Sequence, residues 1–106
     1  MVVKFSSAYF YYNKVVYIYQ TYIIYSTSKD RYYIGSTGVG IRKRVKRHNE
    51  GWTRSTKSGA PWELKYYRSF KRKTEALKWE NHIKRQKNRE FNERLIASEE
   101  NECKEE

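Results

Sequence analysis

Two stretches of the chain, TYIIYS (21–26) and RYYIGS (31–36), are runs of β-branched and aromatic residues separated by the polar cluster TSKD. That combination predicts a β-hairpin. Gly38 and Gly40 then interrupt the strand pattern. From Ile41 to Glu50 the apolar positions take helical spacing, and Gly51 is placed to end the helix. Residues 52–61 are polar and close on Pro61. In WELKYYRSF (62–70), alternation sets Trp62, Leu64, Tyr66 and Phe70 on one face of a third strand. A second helix is expected from an N-cap at Thr74 to about Arg85. A third is expected from a cap at Asn88, with Phe91 and Leu95 at i, i+4. The chain after Ser98 is expected to fray. The order β-β-α-β-α-α predicts an α/β (α+β) domain, with a small, largely antiparallel three-stranded sheet flanked by helices.

Residues 1–19 are rich in Tyr and Val and contain no acid. An additional edge strand and a poorly ordered extension both fit them, and they lack the features of a secretory signal. The expected division is a Tyr-rich extension at 1–19, a folded domain at 20–98 and an acidic tail at 99–106. With 106 residues, 38% of them hydrophobic, the chain has room for one modest core. Its 11 tyrosines and 3 tryptophans must fill much of that core. The single cysteine, Cys103, rules out a disulfide framework or a cysteine zinc cage and fits a reducing cytoplasm. No apolar run approaches the roughly 20 residues a membrane span needs.

Charge changes the picture. The net charge is +11, but residues 1–98 carry 22 cations against 7 acids, a net +15. Such a field draws polyanions, so nucleic acid is the expected partner, whatever the chemistry.

Ile41, Arg44, Val45 and His48 share one helical face, so a cationic pair sits within an apolar stripe. Arg44 could simply lay its stem on the core and snorkel, with His48 an ordinary helix-end residue. Alternatively, the two border a cleft and present donors to a phosphate. In the next helix Glu80 falls on the stripe of Ala76, Trp79 and Ile83, where an unpaired carboxylate costs several kcal/mol. A salt bridge, with Arg44 as the candidate partner, or a divalent cation would compensate it. Tyr22 and Tyr33 are near neighbours across the hairpin ladder. The loop GSTGVG reads GxxGxG rather than GxGxxG and lacks a βαβ unit, so no nucleotide cofactor is expected.

Taken in order, TYIIYS, YYIGST, RVKRHNEG, PWELKYY and EALKWENHIK resemble the GIY-YIG nuclease superfamily over about residues 20–97. The closest likeness is to its small single-domain branch, related to the nuclease domain of the excision-repair incision subunit. The YIG motif is literal at Tyr33-Ile34-Gly35, whereas Gln20-Thr21-Tyr22 keeps only the tyrosine of the first motif. The resemblance implies a divalent-metal-dependent endonuclease that hydrolyses phosphodiester bonds in DNA with little sequence specificity, in repair or on branched DNA. It implies a catalytic set of Tyr22, Tyr33, Arg44, His48 and Glu80. Glu80 would hold Mg²⁺ or Mn²⁺, and Lys43, Arg47, Asn49 and Lys57 would contact DNA. Which tyrosine serves as base stays open. The rival readings are a catalytically inactive nucleic-acid-binding module of the same fold and a protein-interaction subunit that docks through its N-terminus.

Overall fold

In the computed structural model the described residues are 2–5, 8–11 and 14–105, with side chains described from 17 to 104. Strands β1 (Val2–Phe5), β2 (Ala8–Tyr11) and β3 (Lys14–Tyr17) pair only with one another, as an antiparallel meander. They do not add an edge strand to the hairpin sheet.

The second sheet has the order β5-β4-β6, with β4 (Tyr19–Ser26) central between β5 (Arg31–Thr37) and β6 (Trp62–Phe70). Both pairings are antiparallel. The hairpin forms where expected because β-branched and aromatic side chains suit a pleated, half-buried surface. Its turn uses Asp30 at positive φ (49°), a conformation that a short polar side chain tolerates.

One sequence expectation fails inside β6. Ile23 pairs with Tyr66 but Ile24 with Leu64, so Lys65 is an extra residue and the strand carries a bulge. The bulge reverses the alternation. Trp62, Leu64 and Tyr67 pack with Tyr22, Ile24 and Ile41 on one side, while Tyr66 packs with Ile23 and Ile83 on the other. The single face expected from Trp62 to Phe70 is therefore split between two cores.

Helices cover both faces. α1 (Ile41–Asn49) and the single turn α2 (Arg54–Lys57) follow β5; α3 (Lys73–Gln86) and α4 (Arg89–Ala97) follow β6. α1 ends as foreseen at Gly51, whose φ of 82° lets its own N–H reach the His48 carbonyl and the Trp52 N–H reach that of Arg47. Asn88 caps α4 by accepting from the backbone of Glu90 and Phe91. Thr74 does not cap α3: the helix already begins at Lys73, with Arg72 in the capping position and no side-chain cap.

The tail is not frayed over its described part. Asn101 is buried, its Oδ1 accepting from Tyr67 N and Cys103 N, its Nδ2 donating to the carbonyls of Lys65 and Ile96. Glu102 accepts from the Ser69 backbone N–H and hydroxyl. These side chains occupy the outer edge of β6, which would otherwise present unpaired groups to water. Among the described residues no helix is long and apolar enough to cross a membrane.

Candidate active site

Tyr22 projects from the middle of β4 toward α1 and is fully buried. Its ring lies across β5 at Gly35, its cross-strand partner. A Cβ on Gly35 would stand 2.5 Å from the Tyr22 hydroxyl, so only glycine fits there. The reason for the glycine of YIG is thus steric, the neighbouring strand's tyrosine.

The stripe read from the helix spacing forms as expected, with Ile41 and His48 buried and Arg44 and Val45 half-buried. His48 Nε2 lies 2.7 Å from the Tyr22 hydroxyl, and its Nδ1 lies 2.7 Å from the hydroxyl of Thr56 on α2. The Thr56 hydroxyl in turn donates to the Thr53 carbonyl at 3.2 Å. With its single proton used there, Thr56 must accept from His48 Nδ1–H. Nε2 is then the bare nitrogen, and Tyr22 O–H donates to it. This assignment follows from the network as a whole. Arg44 completes the cluster, donating from Nε to the Tyr22 oxygen (3.2 Å) and from Nη2 to Thr53 Oγ1 (3.4 Å).

Burial pushes the Tyr22 phenol up to about 12, against the opposing pull of the Arg44 hydrogen bond and charge. Tyr33 and Glu80 add further upward pushes. Burial, and after it the Arg44 charge, pulls His48 down to about 4. Near neutrality the pair is therefore a phenol facing a neutral imidazole.

Tyr33 packs its ring edge-on against His48, with centroids 5.3 Å apart, and also against Trp62. Glu80, with a side chain 14% exposed, pairs with Lys84 one turn along α3 at 2.5 Å. The compensating cation is thus Lys84, not Arg44. Among the described residues no three His, Cys, Asp or Glu side chains cluster to form a metal site. A single carboxylate does not suit zinc. It does suit Mg²⁺ or Mn²⁺, which keep several waters and take remaining oxygens from a substrate phosphate.

Of the residues expected to touch DNA, Lys43 and Lys57 are exposed, and Arg47 stacks over Trp52 at 4.6 Å. Asn49 is exposed as well, but its amide also has a structural role. Its Oδ1 accepts from Trp62 N and its Nδ2 donates to Trp62 O, so the amide clamps α1 to the start of β6. The sequence reading also missed Thr53 and Thr56, which orient Arg44 and His48. Hydroxyl residues in a polar loop carry no periodic signal. Gln20, on the Tyr22 face of β4, is buried, and its Oε1 finds no hydrogen-bond partner among the described residues.

The family model for the GIY-YIG catalytic domain matches residues 18–94, a span that contains this whole cluster. The chain belongs to the GIY-YIG superfamily. Its members are nucleases, which places the domain among phosphodiester hydrolases. No curated protein and no solved structure matches the chain.

Proposed function

We propose that this GIY-YIG domain is a metal-dependent DNA endonuclease with little sequence specificity, and that Tyr22, Arg44 and His48 perform its chemistry. The observation that carries the reading is the Arg44–Tyr22–His48–Thr56 chain of hydrogen bonds, in which one phenol is placed between a fixed cation and a neutral base. A structural tyrosine needs one partner for its hydroxyl. This one has two of opposite character.

In the free protein the phenol keeps its proton, because its affinity for it far exceeds that of His48. A bound phosphodiester brings negative charge, which raises the basicity of His48. Tyr22 then takes a proton from the attacking water while passing its own to His48 Nε2. The water oxygen forms the new P–O bond in line with the departing ester oxygen, whose P–O bond breaks and which takes a proton from solvent. No covalent enzyme intermediate arises. Arg44 donates to the phosphate oxygens, where its planar fork stabilises growing charge in a way a lysine does not. Tyr33 holds the imidazole ring by its edge contact. Glu80 is the residue that would hold Mg²⁺ or Mn²⁺, and the ion would supply neutralisation of the charge that grows on the phosphate.

The exposed Lys43, Lys57 and their neighbours contact the DNA backbone, which carries no base information. Branched or damaged DNA in a reducing cytoplasm is the setting we infer, supported by the lone cysteine and by a cationic body suited to backbone contacts that carry no base information.

The test is nicking of supercoiled plasmid with Mg²⁺ or Mn²⁺, repeated with chelator and with Arg44→Lys. The wild type should nick only with metal. Arg44→Lys should bind DNA yet lose at least about 100-fold in rate. Binding without cutting under any metal condition would leave a catalytically inactive binding module instead.

A further inference from the structure

Trp52, between α1 and α2, is 65% exposed, the highest value for any large apolar side chain among the described residues. Scattered exposed apolar residues are ordinary, but three features set this one apart. The Arg47 guanidinium lies 4.6 Å from its ring centroid, stacked over the ring. Its backbone is locked by the helix-ending bonds of Gly51 to His48 O and Trp52 to Arg47 O, both 3.1 Å. The next residue, Thr53, accepts from Arg44, and Thr56 on the same segment holds His48. A rigid aromatic ring thus stands one residue from a ligand of the proposed phosphate-binding arginine. The helices on either side of it carry further exposed cations, Lys43 and Lys46 on α1 and Arg54 and Lys57 on α2.

We propose that Trp52, backed by Arg47, is a stacking platform for an unpaired base of the DNA strand being cut. The domain then favours DNA with a flap, gap or frayed end over continuous duplex. The proposal rests on the nuclease reading above and names the substrate class for the same site. A base inside a duplex has both faces covered by its neighbours, whereas an unpaired one can leave the stack and lie on an aromatic ring. Such stacking is tolerant of sequence, because every base has a π-face. The surrounding cations hold the backbone in either case, so the ring alone distinguishes the two substrates.

The experiment measures affinity of the full chain, in chelator, for a labelled duplex and for the same duplex bearing a short single-stranded flap. Wild type, Trp52→Ala and Trp52→Phe are compared. The ratio of flap to duplex affinity should fall about 5- to 100-fold in Trp52→Ala and far less in Trp52→Phe, which keeps a stacking face. An unchanged ratio in Trp52→Ala, or a wild-type ratio near one, overturns the proposal. Cleavage of the same two DNAs with Mg²⁺ separates the two claims. A Trp52-dependent preference without cleavage defeats the nuclease reading and leaves the platform standing. Cleavage with no Trp52-dependent preference does the opposite.

Discussion

His48 is fully buried between two hydroxyls, and its lowered proton affinity has a definite consequence for stability. Unfolded, the imidazole takes a proton below about pH 6.5; folded, it does so only near 4. The unfolded chain thus binds the extra proton between these values, and stability falls as the pH drops through that window. Below about 4 the loss levels off. Thermal melts of wild type and His48→Gln from pH 7 to 4 should show the steeper decline in wild type, with carboxylate titration common to both. Parallel curves would mean that the imidazole is not held neutral. Glu80 makes a second test at this scale. Its partner Lys84 is half-exposed, so Glu80→Gln should change stability by less than about 1 kcal/mol. The same variant should lose metal-dependent cleavage and metal binding measured by calorimetry. A variant that cuts at the normal rate removes Glu80 from the metal site.

At the scale of elements, the tail is as much part of the domain as a strand. Asn101 satisfies four backbone groups on three segments, and one of them is the carbonyl of the bulged Lys65. Asn101→Ala should therefore cost about 2–3 kcal/mol, seen as a melting temperature lowered by roughly 10 °C or more. Ending the chain at Ser98 should cost at least as much. Undiminished stability in either case would mean that water replaces these bonds without loss.

The same contacts show what the sequence could and could not disclose. The hairpin and the Ile41–Arg44–Val45–His48 face were legible because strand and helix periods are local. The literal YIG marked Gly35, but the Tyr22 ring that excludes a side chain there shows only in the fold. Asn101 was not legible, since two of its four partners lie more than thirty positions away in β6. Nor was the bulge at Lys65, where one inserted residue moves Tyr66 to the opposite core with no change of composition. Thr53 and Thr56 were hidden for a third reason. Their role is fixed by which way a hydroxyl points, and α2 is a single turn.

At the scale of the molecule, a body with net +15 in residues 1–98 surrounds one small neutral relay, the Tyr22–His48 pair. The cations gather polyanion without selecting sequence, and the buried pair supplies the chemistry they lack. Binding and cutting are therefore separable, and a single oxygen atom separates them. Tyr22→Phe removes the hydroxyl that links Arg44 to His48 while keeping the ring that fills the core. The most direct measurement is single-turnover cleavage of plasmid with Mg²⁺ by wild type and Tyr22→Phe, at protein concentrations shown to saturate the DNA. The relay predicts equal binding and a rate lower by at least about 100-fold in the variant. Cleavage by Tyr22→Phe at the wild-type rate would contradict it.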